Sequence, residues 1–216
     1  MKPIALLIFD LDGTLVNTLD DIAASVNYTL ALLGKEPLSV DAVRQYVGDG
    51  IEELLVRALG GRNTRLAEAI ALYKDHHRRN LAVHSALYPP VLKTLEHFQS
   101  LPMAVISNKA MEFASPLLDG LGIGRFFQLV IGADSGFPLK PAPDAVMSAL
   151  NTFKAPKEQS LIVGDGTTDV RAGKAAGILT CSVTYGFRPE LELRKAGPDY
   201  IIPALSDLQK LFTPIR

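Results

Sequence analysis

Short apolar runs alternate with helical patterns along most of this chain, and this alternation restricts the possible folds more than any other feature. Five mostly apolar runs have the length of strands buried on both faces: residues 4–9, 103–107, 128–132, 160–164 and 179–183. Each run is separated from the next by a helical pattern: residues 89–99, 110–121, 142–153 and 167–177. Strands that alternate with helices predict an α/β fold, with a doubly wound parallel sheet and a Rossmann-like core.

One region interrupts this alternation, because no strand pattern occurs between the first run and about residue 85. Four helical segments are predicted there instead: residues 20–33, from Ser39 to near Gly48, from Ile51 to Gly60, and residues 64–83. We therefore expect a small all-helical cap at residues 17–85, inserted after strand one, and an α/β core formed by residues 1–16 and 86–216. Such an insert would lie over the carboxyl edge of the sheet as a lid.

The charge balance and the apolar pattern exclude several classes of partner. Twenty-two basic residues face 23 acidic ones in a chain of 216, so we expect neither nucleic acid nor an anionic membrane as a partner. No run approaches the ~20 apolar residues of a membrane span, and the run at 4–9 is too short for a signal peptide. The single cysteine, Cys181, lies in an apolar run and is expected in the core. We expect a cytoplasmic protein, either a monomer or a homodimer.

Polar residues follow three of the predicted strands. Ligands bind outside the carboxyl ends of strands in open α/β sheets, so these positions are candidate site residues: Asp10, Asp12, Ser107, Asn108, Lys109, Asp165 and Asp169, with Lys140 in a following loop. A strand-end serine or aspartate alone is usually a turn residue or a helix cap. Together, carboxylates from two strands can share a divalent cation, while a hydroxyl and a lysine can hold an anion. This combination predicts a phosphate bound beside a metal ion.

Two nucleotide-binding motifs are not supported by the sequence. The chain contains no G-x-x-x-x-G-K-[ST] segment. The segment "GDGTTD" after a strand begins like a dinucleotide fingerprint, but Asp169 stands where the third glycine allows close helix packing.

Four segments resemble, in order and rough spacing, the motifs of the haloacid dehalogenase-like phosphatases: "DLDGT" at 10–14, "SNK" at 107–109, "KPAP" at 140–143 and "GDGTTD" at 164–169. The helical insert is similar to the first type of cap in that family. Within the family, "VGDGIEELLVRALGG" and "YPPVLKTL" resemble phosphoglycolate phosphatases most. The resemblance implies a Mg²⁺-dependent phosphatase that hydrolyses small phosphate monoesters, 2-phosphoglycolate first, through an aspartyl phosphate.

The resemblance also implies a role for each motif residue. Asp10 would be the nucleophile and Asp12 the general acid and base. Mg²⁺ would be held by Asp10, the backbone carbonyl of Asp12 and Asp165, while Asp169 orders its water ligands. The implied substrate-binding residues are Thr14, Ser107, Asn108, Lys140, Gly48 and Gly50.

The chemistry of these residue types agrees with the implied roles. An aspartate is ionised at neutral pH and needs no activating base, while Mg²⁺ and Lys140 offset the repulsion between two anions. Residues i and i+2 at a strand end point to the same side, so Asp12 is expected to reach the leaving oxygen while Asp10 attacks. Two positions depart from the family pattern: Asn17 stands where aspartate is frequent, and Gly166 where a hydroxyl residue is frequent.

Other assignments remain open from the sequence alone. The same scaffold carries sugar phosphomutases, phosphatases of nucleotides, sugar phosphates or pyrophosphate, and modules that bind without catalysis. The segment "HHRR" at 76–79 is interpreted as a solvated helix face, since adjacent histidines on a helix chelate poorly. Arg57 and Lys74 are candidates to reach the site from the cap, and Asp49 must point away from an anionic substrate.

Overall fold

A computed structural model of the chain describes residues 1–215. Within this range the strands are Lys2–Ile4 (β1), Leu6–Phe9 (β2), Val16–Asn17 (β3), Ala86–Leu87 (β4), Met103–Ile106 (β5), Leu129–Ile131 (β6), Ser160–Gly164 (β7), Leu179–Val183 (β8), Tyr200–Ile202 (β9) and Phe212–Pro214 (β10). The α-helices are Leu19–Leu32 (α1), Val40–Tyr46 (α2), Ile51–Leu59 (α3), Leu66–Arg79 (α4), Val91–Phe98 (α5), Met111–Gly120 (α6), Asp144–Phe153 (α7), Thr167–Ala176 (α8), Glu190–Ala196 (α9) and Leu208–Leu211 (α10).

A six-stranded parallel sheet forms the centre of the molecule, in the order β6-β5-β2-β7-β8-β9. Every residue of β2, β5 and β7 is buried, which explains why these segments are almost continuously apolar. Separate apolar clusters cover the two faces of the sheet, one around Phe9 and Val163 and the other around Ile8 and Ile162. The predicted doubly wound α/β fold is confirmed.

The strand predictions are right for five of the six sheet strands and incomplete elsewhere. The run at 4–9 divides, because Leu6–Phe9 joins the sheet while Lys2–Ile4 pairs in parallel with Phe212–Pro214. The sequence analysis missed Tyr200–Ile202, an edge strand of three residues that pairs only with β8. The helices α9 and α10 were also missed, since seven and four residues are too short for a clear periodicity.

Four helices, α1–α4, occupy the predicted insert and pack on one another. Their apolar residues form a separate cluster, in which Leu55 is fully buried and which Phe187 joins from the loop after β8. The Ser39 hydroxyl caps α2 by accepting a hydrogen bond from the Ala42 amide at 3.2 Å, and Gly60 ends α3 in the left-handed conformation. The last helix is shorter than predicted. We call α1–α4 the helical insert; its boundaries as a separate cap domain stay a prediction.

The two connections between the insert and the sheet lie side by side. Val16–Asn17 and Ala86–Leu87 form a two-residue antiparallel pair that the sequence analysis did not predict. The Asp21 carboxylate, at the start of α1, accepts hydrogen bonds from the amides of His84 and Ser85 and from the Ser85 hydroxyl. Asp21 is buried, and these donors replace the water it would otherwise bind. The entry and exit of the insert are therefore tied together.

None of the helices in residues 1–215 combines the length and the apolar character that crossing a membrane requires.

Candidate active site

Three carboxylates converge at the carboxyl edge of the sheet. Asp10 follows β2, Asp165 follows β7, and Asp169 lies in the first turn of α8. One oxygen from each of them lies within 4.8 Å of the others. The Asp12 side chain is not part of this group, so any contribution of Asp12 to the cluster would come from its backbone carbonyl, as the resemblance implies.

Glycines make the space that this cluster needs. A Cβ at Gly13, which has a φ of +82°, would lie 2.3 Å from Asp165 Oδ2, and a Cβ at Gly186 would lie 2.2 Å from the Asp165 Cβ. At Gly164 an added Cβ would meet the Asp169 side chain at 2.2 Å. Side chains at these three positions would displace the carboxylates, so all three glycines are needed for packing, and Gly13 also for its positive φ.

Lys140 neutralises part of the negative charge. Its Nζ lies 2.6 Å from Asp169 Oδ1, 3.0 Å from Asp10 Oδ1 and 2.6 Å from the Ile106 carbonyl oxygen. Burial disfavours its charge, but the two carboxylates outweigh burial and hold the pKa of Lys140 above its usual value. Because an ammonium has three N–H donors, these contacts saturate it, and a bound phosphoryl oxygen would have to share one of them.

One lysine does not balance three carboxylates. Burial, followed by the Asp10 charge, raises the pKa of Asp165 to about 7, against the hydrogen bond donated by the Phe187 amide. Burial also raises the pKa of Asp169 to about 6, although Lys140 acts in the opposite direction. Ionisation of these carboxyl groups therefore carries an electrostatic cost that a further positive charge would remove.

The donor set of the cluster fits a hard divalent cation. All three side chains offer carboxylate oxygens, the ligand type that Mg²⁺, Ca²⁺ and Mn²⁺ prefer, and no histidine or cysteine belongs to the group. A cation there would also offset the electrostatic cost of crowding these carboxylates.

Asp10 and Asp12 have different partners. Asp10 Oδ1 accepts hydrogen bonds from the Leu11 amide at 2.7 Å and from Lys140, whereas Asp10 Oδ2 has no protein hydrogen-bond partner within residues 1–215. Asp12 Oδ1 accepts a hydrogen bond from the Thr18 hydroxyl at 2.8 Å, and Lys109 Nζ lies 3.3 and 3.4 Å from the two Asp12 oxygens. One carboxylate thus keeps an oxygen available for attack, while the other is held from two sides.

The remaining predicted binding residues divide into two groups. Ser107 lines the cavity above the sheet edge, as do Gly48 and Gly50 from the insert. Thr14 is fully buried, and its hydroxyl donates to Asp165 Oδ1 at 3.0 Å, which makes it a support for that carboxylate. The Asn108 amide donates to the Gly48 and Lys140 carbonyls at 2.9 Å each, so its side chain bridges the insert and the sheet.

The cavity between the sheet edge and the insert measures about 150 Å³. Its lining includes side chains that the sequence analysis did not select: Ile22, Leu54, Tyr73, His77, Phe113, Phe187 and Arg188. Arg188 could have been found by the rule that found the aspartates, because it lies in the loop after β8. The residues from the insert carry no such signal, since they reach the site only through the packing of α1, α3 and α4.

The interpretation of residues 76–79 as a solvated helix face is wrong for His77, which is only 1% exposed. It lies between the Tyr73 and Phe113 rings, with ring centroids at 5.1 and 5.0 Å. Neither candidate cation of the insert lines the cavity: Arg57 binds the Asp49 carboxylate at 2.5 Å. Lys74 lies 2.9 Å from Glu112.

Comparisons with known proteins identify close relatives. Residues 7–183 match the family model described as haloacid dehalogenase-like hydrolase. The chain is 38% identical to the phosphoglycolate phosphatase of Pseudomonas fluorescens, over 94% of this chain and 78% of that protein. It is 35% identical to the phosphoglycolate phosphatase of Aquifex aeolicus, over 95% of each chain. The crystal structure of a predicted phosphoglycolate phosphatase from Haemophilus somnus superposes with a TM-score of 0.91 at 29% identity, covering 98% of this chain and 99% of that one.

The crowded carboxylates predict that a divalent cation stabilises the fold through Asp165, and Mg²⁺ serves as the test ion. At about 100 times its dissociation constant, Mg²⁺ should raise the melting temperature at pH 8 by about 5–10 °C. In Asp165→Asn this rise should be lost. When both proteins are measured without metal, the melting temperature of Asp165→Asn should be higher than that of wild type. A pKa raised to about 7 means that ionised Asp165 opposes folding at pH 8. Differential scanning fluorimetry measures both effects, with Asp41→Asn, a change at an exposed carboxylate, as the control. An unchanged Mg²⁺ response in Asp165→Asn would contradict the metal site.

Proposed function

Because the chain belongs to the haloacid dehalogenase-like hydrolases, we propose that it is a phosphatase that converts 2-phosphoglycolate to glycolate and phosphate. The observation that carries this proposal is the difference between Asp10 and Asp12. Asp10 has one oxygen held by two donors and one without a partner, while Asp12 is fixed beside it by Thr18 and Lys109. Relatives at 35–38% identity that bear the name phosphoglycolate phosphatase support the substrate.

The reaction has two balanced steps. In the first, the partnerless Asp10 oxygen forms a bond to phosphorus, the bond from phosphorus to the leaving oxygen breaks, and Asp12 gives its proton to that oxygen as glycolate leaves. In the second, ionised Asp12 takes a proton from water while the water oxygen attacks the phosphorus of the aspartyl phosphate. Phosphate is released, and both side chains return to their starting states.

Mg²⁺ is the cation that we propose for Asp10, Asp165, Asp169 and the Asp12 carbonyl. When bound, it would cancel the repulsion between the Asp10 carboxylate and the phosphate. Lys140 adds a fixed positive charge beside Asp10, and the Ser107 hydroxyl is available to donate to a phosphoryl oxygen. Phosphoryl transfer depends mainly on such positioning and charge neutralisation.

Recognition of the glycolate carboxylate requires a second positive region in the cavity. The cationic side chains of the lining are Lys109, which pairs with Asp12, and Arg188. Arg188 has no carboxylate partner within residues 1–215; its Nη1 donates to the Gln45 carbonyl at 2.9 Å and its Nη2 to the Val47 carbonyl at 2.6 Å. Three of its five N–H donors remain for a ligand.

The loop before α3 supplies the opposite wall of this region. No side chain caps α3, so the amides of its first turn are available beside Gly50. Asp49 also lines the cavity, and its carboxylate pairs with Arg57, which offsets the negative charge beside an anionic substrate. We therefore propose that Arg188 and the amides near Ile51 hold the glycolate carboxylate between the sheet and the insert.

The activity predicts release of inorganic phosphate from 2-phosphoglycolate in the presence of Mg²⁺. Among small phosphate esters, 2-phosphoglycolate should give the highest kcat/KM, and Asp10→Asn should release no phosphate because the nucleophile is gone. A colorimetric phosphate assay over a panel of sugar phosphates, nucleotides, pyrophosphate and 2-phosphoglycolate measures the ranking. A higher kcat/KM for a sugar phosphate or nucleotide would contradict the proposed substrate.

The proposed role of Arg188 predicts a selective loss. Arg188→Met should raise KM for 2-phosphoglycolate by about 10- to 100-fold, because a hydrogen bond to a charged group contributes about 1.5–3 kcal/mol. KM for p-nitrophenyl phosphate, which has no carboxylate, should change less than about threefold. The KM of Arg188→Lys for 2-phosphoglycolate should lie between those of Arg188→Met and wild type. Arg194→Met, a change at an exposed arginine paired with Glu190, is the control. An equal rise in KM for both substrates would contradict the proposed role and would show that Arg188 only holds the insert in place.

A further inference from the structure

A continuous chain of polar contacts runs from the helical insert to Asp12. His77, in α4, has its Nε2 3.3 Å from Lys109 Nζ and its Nδ1 3.1 Å from the Ser25 hydroxyl oxygen. Lys109 in turn lies 3.3 Å from Asp12 Oδ1, and the Ser25 hydroxyl lies 2.8 Å from the Asp21 carbonyl oxygen. The contacts therefore join two helices of the insert to a lysine that follows β5 and to the carboxylate that follows β2.

The ammonium of Lys109 decides which nitrogen of His77 carries the proton. An ammonium donates hydrogen bonds but cannot accept them, so His77 Nε2 must accept from Lys109 Nζ. The imidazole must then carry its proton on Nδ1. The Ser25 hydroxyl accepts from His77 Nδ1, and the Asp21 carbonyl and His76 Nδ1 are both within reach of its own proton. His77 is thus a neutral imidazole with a defined tautomer, and its Nε2 lone pair is directed at Lys109.

The surroundings maintain this state. Burial, followed by the positive charge of Lys109, lowers the pKa of His77 to about 2, so the ring stays neutral at any working pH. The Lys109 side chain is 6% exposed and the Asp12 side chain 14% exposed. A protonated ring would repel Lys109 and remove the acceptor. Lys109 therefore has two partners: Asp12, which follows β2 of the sheet, and His77, in the helical insert.

We propose that His77 is a positioning residue for catalysis: by accepting a hydrogen bond from Lys109, it holds that ammonium against Asp12 and fixes the carboxyl group that exchanges the proton. The inference rests on the proposed function, because it takes Asp12 as the acid of the first step and the base of the second. His77 lies in the insert, so the surroundings of Asp12 are complete only when α4 packs against the sheet unit. The insert then contributes to the chemical step as well as to substrate choice.

A purely structural role for His77 makes different predictions. The ring packs between Tyr73 and Phe113, and this packing alone would make His77 important for stability. Packing needs a ring but no acceptor, whereas positioning needs an acceptor. His77→Phe keeps the aromatic ring and removes the acceptor, and His77→Gln restores an acceptor without the ring. The two variants separate the roles.

The kinetic test compares leaving groups. Glycolate leaves as an alkoxide that needs the Asp12 proton, whereas p-nitrophenolate leaves without one. His77→Phe and Lys109→Met should each lower kcat for 2-phosphoglycolate by about 10- to 100-fold, with KM changed less than about threefold. The pre-steady-state burst of p-nitrophenolate should keep its rate within about threefold. His77→Gln should recover most of kcat for 2-phosphoglycolate. The kcat of the double variant His77→Phe/Lys109→Met should be no lower than that of Lys109→Met alone.

The neighbouring histidine provides the matched control. His76 stacks on Tyr28 and also contacts the Ser25 hydroxyl, but it has no contact with Lys109. In His76→Phe, the ratio of kcat for 2-phosphoglycolate to the burst rate of p-nitrophenolate should be the same as in wild type. The proposal would be overturned if His77→Phe lowered the rates for both substrates equally or left kcat for 2-phosphoglycolate unchanged. It would also be overturned if His77→Gln failed to recover kcat.

A spectroscopic measurement tests the same proposal without turnover. Nitrogen-15 NMR of the histidine rings should report a neutral His77 with its proton on Nδ1 at pH 7, and Lys109→Met should shift the Nε2 resonance. A proton on Nε2, or an Nε2 resonance that ignores Lys109→Met, would overturn the positioning role even if the enzyme is active. If 2-phosphoglycolate is not hydrolysed while this tautomer is observed, the proposed substrate fails but the positioning contact stands; the kinetic comparison then uses whichever alkyl phosphate is turned over.

Discussion

The crowding of three carboxylates around Lys140 is the constraint on which the rest of the site depends. Parallel strands bring Asp10 and Asp165 to one edge, and the first turn of α8 adds Asp169. The protein supplies one buried ammonium for these groups, so the pKa values of Asp165 and Asp169 remain raised. The glycines of the motifs give these carboxylates room. A divalent cation held by these carboxylates would complete the charge balance and would offset the repulsion between Asp10 and an anionic phosphate.

The residues that we propose for the chemistry and for the choice of substrate lie in different parts of the chain, but direct contacts connect them. Asn108 joins the Gly48 carbonyl of the insert to the Lys140 carbonyl, while Arg188 binds carbonyls at the end of α2. The contact between His77 and Lys109 reaches Asp12 itself. The helical insert is therefore in direct contact with the residues that we propose for proton transfer.

The sequence predicted those parts of the molecule that rest on local patterns. Apolar runs predicted five of the six sheet strands, and strand-end polar residues predicted the carboxylate cluster. The resemblance of four motifs indicated the family, which the family model confirms. They were not enough for the edge strand Tyr200–Ile202, which is too short to show a period, or for His77. A buried histidine on a charged helix segment is indistinguishable in sequence from an exposed one, because its burial depends on how α4 packs against Phe113.

Nucleophilic attack by Asp10 would form a covalent bond between its carboxylate and the phosphoryl group, and trapping that bond tests the mechanism. Protein mixed with 2-phosphoglycolate and Mg²⁺, quenched in acid within the first turnover and reduced with borohydride, should carry homoserine at position 10, since borohydride reduces an acyl phosphate to the alcohol. Peptide mass spectrometry locates the change, and Asp10→Asn serves as the blank. Phosphate release without modification of Asp10, or with the label at Asp12 or Asp165, would contradict the account.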